Sequence, residues 1–235
     1  MRQLQQPLLR RVRCACAALA KRSSSSSSSN SSSSNSSSSS NSSNFLTSKI
    51  NVQTWGDRTA IVESDTGNTF TFRELAVASA GLAKILKDDG WLNLSPANNA
   101  KTHQPSIAML ARPSATYAVM MLGAWLANAV CVPLSSSHTN KDVSYIVGNS
   151  DANVLLLQEG VTLPAAQNSS LAAAADSIPA PITTVPSIAE LSAIGAPLLG
   201  GMLDNLATPH NRGALVIYTS GTTGKPKGGH SHFNA

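Results

Sequence analysis

A chain of 235 residues with 42% hydrophobic residues can bury a sizeable core, and its formal net charge is +5. The first 49 residues hold seven of the 17 basic side chains and none of the 12 acids, so the remainder carries ten basic residues against twelve acids. With aromatic residues at only 4%, the chain lacks the basic, aromatic-rich patch of a nucleic-acid binder. No apolar run approaches the roughly 20 residues that cross a bilayer, which argues against a membrane span.

Residues 1–22 are rich in arginine, contain no acid and include short apolar stretches, which is the composition of an organelle transit peptide. The pattern favours mitochondrial import, with a plastid or the cytoplasm as the alternative location. Residues 23–44 are almost entirely serine and asparagine. Such a tract buries too little apolar surface to offset its conformational entropy, so we expect a disordered spacer. Repeat expansion without a function is the plainer explanation for the tract.

From residue 45 onward, short apolar runs alternate with amphipathic segments, which is typical of an α/β fold. The first of these runs predicts a strand at residues 60–63. Turn-forming residues follow at 65–68, and a second strand is predicted at 69–71. We therefore expect a β-hairpin at the start of the folded part.

A helix is predicted directly after this hairpin. Thr71, followed three residues later by Glu74, is a capping-box signature for the start of a helix. Apolar residues then recur at spacings of three and four until Gly90, which predicts one buried helix face. That face comprises Leu75, Ala78, Leu82, Ile85 and Leu86.

The next segment has the pattern of two parallel strands joined by a helix. Residues 107–110 predict a buried strand, Pro113 and Ser114 open a helix, and residues 130–132 predict the second strand. The apolar face of this helix comprises Tyr117, Met120, Met121, Ala124 and Leu126.

A further helix and strand follow, and the pattern then weakens. Thr139 and Asp142 predict a capped helix over residues 141–149, and an apolar run predicts a strand at 154–157. Residues 158–212 are rich in alanine, serine and proline and show little periodicity. We expect them to form a variable connection without catalytic residues.

Cysteine and histidine offer little for metal or redox chemistry. Cys131 is the only cysteine in the folded part, so neither a disulfide framework nor a cysteine-based metal site is expected there. We interpret it as a small buried apolar residue. His230 and His232 lie two residues apart, but a metal site needs further ligands, and we expect none.

The strongest functional signal begins at residues 214–218, an apolar run that predicts a buried strand. It leads directly into a segment in which Gly221, Gly224 and Gly228 permit backbone conformations that turn consecutive N–H groups towards an anion. Hydroxyl and ammonium groups surround these glycines, which indicates phosphate binding. The candidate phosphate-binding residues are Thr219, Ser220, Gly221, Thr222, Thr223, Gly224, Lys225 and Lys227.

This segment does not fit the Walker-type phosphate loop, which requires serine or threonine after its lysine, because Pro226 follows Lys225. Residues 218–228, YTSGTTGKPKG, instead resemble the signature of the adenylate-forming (AMP-binding) superfamily, which includes acyl-CoA synthetases, luciferases and peptide-synthetase adenylation domains. Weaker resemblances occur at residues 71–75, 129–134 and 145–151. Together they cover about residues 50–235.

The resemblance implies an α/β fold: the front part of the family's large N-terminal domain, incomplete and preceded by a disordered leader. Residues 45–235 would then be a partial adenylation domain. It also implies a two-step reaction in which ATP, assisted by Mg²⁺, activates a small carboxylic acid as an acyl-adenylate, and the acyl group passes to coenzyme A. Residues 219–227 would hold the β- and γ-phosphates and stabilise the departing pyrophosphate. No covalent nucleophile is implied, so we assign no catalytic residue.

Two details refine this expectation. Residues 212–214, Arg-Gly-Ala, together with the leader, are similar to mitochondrial malonate-activating acyl-CoA synthetases. The family's adenine-binding motif, ribose-binding aspartate and adenylation lysine are absent from these 235 residues, and residues 229–234 are one residue short of the family pattern. We therefore expect an incomplete gene model or a truncated isoform that cannot adenylate by itself. The alternatives are a non-catalytic nucleotide-binding or regulatory module and a peptide-synthetase adenylation domain.

Overall fold

The computed structural model describes residues 54–93, 104–163, 175–198, 212–219 and 225–232. The predicted transit peptide and serine/asparagine tract lie outside these residues, so both remain predictions. No helix within the described ranges is long and apolar enough to cross a bilayer.

The predicted hairpin and first helix are confirmed. β1 (Thr59–Val62) pairs antiparallel with β2 (Thr69–Thr71), and α1 (Phe72–Asp88) follows at once. The capping box has both of its hydrogen bonds, because the Glu74 amide donates to the Thr71 hydroxyl and the Thr71 amide donates to Glu74 Oε2 at 2.8 Å. These bonds from Thr71 hold the pKa of Glu74 below its usual range. Beyond the last turn, Gly90 has a φ of +73°, a conformation that glycine adopts without strain.

A six-stranded sheet forms the centre of the described fold. Its strand order is β6-β5-β3-β4-β7-β8. The first five strands in that order are parallel, and β8 runs antiparallel to β7. The strands are β3 (Ser106–Leu110), β4 (Val130–Leu134), β5 (Val154–Leu157), β6 (Ile182–Thr184), β7 (Gly213–Thr219) and β8 (Lys227–His232).

Helices cover both faces of the parallel strands. Further α-helices are α2 (Ala115–Leu126), α3 (Asn140–Asn149) and α4 (Ile188–Gly195). Residues of α1, α2 and α4 share one buried cluster with Ile107 and Cys131, whereas α3 packs in a second cluster with Ala108 and Val132. Because successive strand residues point to opposite faces, β3 and β4 contribute to both cores.

The predicted helix faces are largely correct. On α1 the predicted residues are buried except Ile85, which is half-buried. On α2, Met120 and Ala124 are buried, while the other predicted residues are half-buried beside the same core. Cys131 is a free, buried thiol, as interpreted from the sequence, and burial raises its pKa to about 12.

Residues 158–212, predicted to be a variable connection, include regular secondary structure within their described part. This segment contains β6, which extends the sheet beside β5, and α4, whose Ser187 and Glu190 form a third capping box. The strand has three residues and the helix eight, so neither is long enough to show a clear hydrophobic period.

Two glycines allow α4 to lie directly on α1. A Cβ atom added at Gly81 would overlap the carbonyl oxygen of Leu191, and one added at Gly195 would overlap the carbonyl oxygen of Val77. Both obstacles are backbone atoms of the facing helix, so no side chain can move to make room. The two helices therefore need glycine at this crossing.

Gly81→Ala is expected to lower the free energy of unfolding by about 3 kcal/mol, because the added methyl group would force the two backbones apart. Gly148→Ala is the matched control in α3, where the new Cβ would meet the exposed Pro179 ring at 3.3 Å. The control should change stability by less than about 1 kcal/mol. Urea denaturation followed by circular dichroism measures both, and equal effects would contradict the close helix crossing.

The capping box of α1 predicts a dependence on pH. Because the pKa of Glu74 is lowered in the folded state, its carboxylate stabilises the fold above its unfolded pKa of about 4.3, and this stabilisation disappears as the pH falls through the lower folded value. Glu74→Gln should cost roughly 0.5 kcal/mol at pH 7, since solvent screens this exposed group, and progressively less as the pH falls below the unfolded pKa. Denaturation at several pH values tests this, with the exposed Glu159→Gln as the control. A loss of unfolding free energy in Glu74→Gln that stays the same at every pH would contradict the prediction.

Candidate phosphate-binding loop

The candidate loop connects β7 to β8 at one end of a tight antiparallel pair. Thr219 lies opposite Lys227, and Tyr218 lies opposite Gly228, so residues 220–226 form the connection. The strand predicted at residues 214–218 is confirmed and is one residue longer at each end. β8 was not expected, because its sequence KGGHSH has no apolar alternation and all six residues are exposed.

The structure describes three of the eight candidate residues. Thr219 ends β7, Lys225 lies in the connection, and Lys227 begins β8 instead of lying in the loop. All three are exposed, and cross-strand partners share one face of the sheet, so the Thr219 hydroxyl and the Lys227 ammonium lie on the same side. The other five lie outside the described residues: Ser220, Gly221, Thr222, Thr223 and Gly224.

The loop lies at the carboxyl edge of the parallel strands. Cys131 of β4 lies opposite Leu215 of β7, and both strands run in the same direction. In open α/β sheets, ligands bind outside the carboxyl ends of the strands, where loops from neighbouring strands meet. The parallel pairing with β4 therefore places Thr219 at the edge where such fold types bind ligands.

A hydroxyl-rich turn after β4 reaches the same edge, and sequence reasoning missed it. Ser135 directly follows β4 and Thr219 ends β7, so both lie at the carboxyl ends of neighbouring parallel strands. The Ser135 hydroxyl lies 2.7 Å from that of Ser137, and the Ser135 amide donates to His138 Nδ1. The sequence feature that could have identified this turn is a run of serines directly after a buried parallel strand and shortly before the helix cap at Thr139.

Two side chains of α3 contact residues at the two ends of the loop. The Tyr218 hydroxyl donates to Asn149 Oδ1 at 2.7 Å, just before the loop begins. Burial, followed by the nearby Tyr145 and Asp151, raises the pKa of Tyr218, so its hydroxyl keeps the proton that it donates. At the other side of the loop, Lys225 Nζ lies 5.6 Å from the centre of the Tyr145 ring.

Two described lysines bring positive charge to the loop. Within the described ranges, neither Lys225 nor Lys227 forms an ion pair with a carboxylate. Two exposed ammonium groups that are not neutralised attract a polyanion. In the same part of the chain, no group of three or more histidine, cysteine, aspartate or glutamate side chains could hold a metal ion.

Comparison with known proteins shows where this chain belongs. Residues 49–235 match the family described as AMP-binding enzyme. The mitochondrial malonate–CoA ligase ACSF3 of Xenopus laevis is 28% identical over 183 residues, which cover 77% of this chain and 29% of the relative. Surfactin synthase subunit 2 of Bacillus subtilis is 31% identical over 177 residues, covering 75% of this chain and 4% of that protein. The chain spans less than a third of the malonate–CoA ligases that it matches.

Solved structures confirm the expected fold. The inhibitor-bound N-terminal domain of FACL13 from Mycobacterium tuberculosis aligns with a TM-score of 0.57 at 20% identity, covering 80% of this chain and 43% of that one. A luciferase-like enzyme from the mealworm Zophobas morio aligns with a TM-score of 0.58 at 14% identity, covering 80% and 41%. The described sheet and helices therefore have the fold of adenylate-forming N-terminal domains.

Neighbouring glycines of β8 give a test of the packing at the loop. A Cβ atom at Gly228 would lie 3.0 Å from the Tyr218 ring, whereas one at Gly229 would meet only the Ile217 carbonyl oxygen at 3.9 Å. Gly228→Ala should therefore displace the ring, weaken its bond to Asn149 and lower the unfolding free energy by about 1–2 kcal/mol. Gly229→Ala should be close to neutral. Thermal denaturation of both variants makes the comparison, and a destabilised Gly229→Ala with an unaffected Gly228→Ala would contradict the observed strand register.

Proposed function

The chain belongs to the AMP-binding enzyme family, and from this premise we propose that residues 219–227 hold the polyphosphate of ATP·Mg. The observation that carries the proposal is the position of the loop. Thr219, Lys225 and Lys227 lie at the carboxyl edge of the parallel strands, with one hydroxyl and one ammonium on the same face. Hydroxyls and unneutralised ammonium groups are the donors that a polyphosphate requires.

We assign separate roles to these described residues. The Lys225 and Lys227 ammonium groups would neutralise charge on the β- and γ-phosphates, and the Thr219 hydroxyl would donate a hydrogen bond to a phosphate oxygen. Magnesium binds substrate phosphates readily and would accompany the nucleotide. When a carboxylate attacks the α-phosphate, negative charge accumulates on the departing pyrophosphate, where these cations would stabilise it. The remaining candidates, residues 220–224, would contribute backbone N–H groups and hydroxyls.

We further propose that the reaction forms an acyl-adenylate and then a thioester with coenzyme A. Malonate is the proposed acid, because the mitochondrial malonate–CoA ligases are among the relatives of this chain. A mitochondrial location is proposed on the same relatives and on the arginine-rich leader. The similarity to surfactin synthase subunits supports a second candidate, in which the acyl group passes to the thiol of a carrier domain.

Binding of ATP·Mg tests the phosphate site directly. Lys225→Ala and Lys227→Ala should each weaken binding by about tenfold or more, because a charge-assisted contact with a phosphate contributes on the order of 1.5–3 kcal/mol. Lys87→Ala, in the last turn of α1, removes an exposed lysine on a different element and should leave the affinity unchanged. Isothermal titration calorimetry provides the dissociation constants. Equal affinity in all four proteins would overturn the proposed site.

Pyrophosphate release from ATP·Mg in the natural protein then identifies the acid and the acceptor. Release that depends on malonate, and a thioester that forms only with coenzyme A, would support the malonate-ligase proposal. Release that depends on an amino acid, followed by transfer to a carrier domain, would support the second candidate. ATP binding without release with any acid would instead support the non-catalytic module.

A further inference from the structure

One face of α3 contacts both sides of the loop. Tyr145 and Asn149 are four residues apart, so they lie one turn apart on the same side of the helix. Asn149 accepts the hydrogen bond from Tyr218 on one side of the loop, and the Tyr145 ring lies below the Lys225 ammonium on the other. Neither residue belongs to the YTSGTTGKPKG segment itself.

We propose that Tyr145 and Asn149 are positioning residues that hold Lys225 and Tyr218, at the two ends of the loop, against α3 and set Lys225 in place before ATP·Mg binds. This proposal deepens the proposed function and rests on it. Asn149 would act through Tyr218, by fixing where β7 ends. Tyr145 would act through Lys225, whose long side chain would otherwise sample many rotamers.

The chemistry of the Tyr145 contact suits this role. A distance of 5.6 Å between Lys225 Nζ and the ring centre is within the range of a cation–π interaction. The ring attracts the ammonium through its face without neutralising its charge, so the N–H donors that point away from the ring remain available to phosphate oxygens. A carboxylate in the same place would neutralise the charge and compete with the ligand. An aromatic ring can therefore orient the lysine while leaving its charge free for the nucleotide.

The Tyr218–Asn149 bond restrains the opposite side. The Tyr218 ring is held between α3 and β8, because it lies over Gly228 in the facing strand. Asn149 is the last residue of α3, and its side-chain oxygen accepts the hydrogen bond from Tyr218 of β7. With both contacts made, the two ends of the connection are fixed relative to one helix.

Substitution of Tyr145 tests whether it acts through Lys225. Tyr145→Leu removes the ring and should weaken ATP·Mg binding by about two- to fivefold, the change expected from an exposed cation–π contact. Tyr145→Phe keeps the ring face and should retain the affinity of the unaltered protein. In a Lys225→Met background, Tyr145→Leu should have no further effect, because the residue through which it acts is gone.

The outcomes separate a positioning role from a structural one. A loss that is the same size with and without Lys225 would show that Tyr145 only supports the fold, and would overturn the proposal. Unchanged or tighter binding in Tyr145→Leu would overturn it as well.

For the other side of the loop, Asn149→Ala and Tyr218→Phe should each weaken ATP·Mg binding, and the double variant should bind no more weakly than either single variant. Additive losses would contradict a shared bond.

A second measurement does not depend on nucleotide binding. In NMR spectra of the full chain, the ε-methylene protons of Lys225 should be shifted upfield by the ring current of Tyr145. The shift should persist in Tyr145→Phe and disappear in Tyr145→Leu. If the unaltered protein bound no ATP·Mg, the proposed function would fail, and the ring-current shift would still decide whether α3 holds Lys225. Absence of the shift in the unaltered chain would overturn the positioning of Lys225.

Discussion

The parallel pairing of β4 with β7 is the contact on which the position of the candidate site depends. Cys131 opposite Leu215 aligns the two strands so that the loop after β7 and the serine-rich turn after β4 reach the same edge of the sheet. Parallel strands have both faces covered, and here α1, α2 and α4 cover one face while α3 covers the other. The apolar core thus fixes the edge of the sheet at which β7 ends.

The contacts that restrain the loop are weaker than those that build the core. A neutral hydrogen bond such as that between Tyr218 and Asn149 contributes about 0.5–1.5 kcal/mol, and an exposed cation–π contact about 0.5–1 kcal/mol. Burial of a large apolar side chain such as Leu156 contributes about 1.5–3 kcal/mol. The proposed restraint on Lys225 and Tyr218 is therefore weaker than the packing of the core on which it rests.

Local signals account for the parts of the fold that sequence reasoning predicted. Each capping box joins residues three apart, so Thr71 with Glu74 and Thr139 with Asp142 identify helix starts without reference to the rest of the chain. The helix α4 has the same box at Ser187, yet it was missed because only eight residues follow and its core-facing side includes a glycine. β8 was missed because its glycines and histidines have no strand pattern. Its pairing with β7 supplies the backbone hydrogen bonds that stabilise it.

The sequence by itself determined the α/β pattern and the helix starts and predicted a phosphate-binding loop, because these depend on residues close together in the chain. Only the tertiary structure decided that Tyr145 contacts Lys225, 80 positions further along, and that Asn149 contacts Tyr218, 69 positions further along. It also decided that Gly81 and Gly195 meet at a helix crossing. Contacts between residues so far apart in the chain depend on the order of the strands in the sheet. Strand order depends on how all the strands and helices pack together, so no single segment of the sequence determines it.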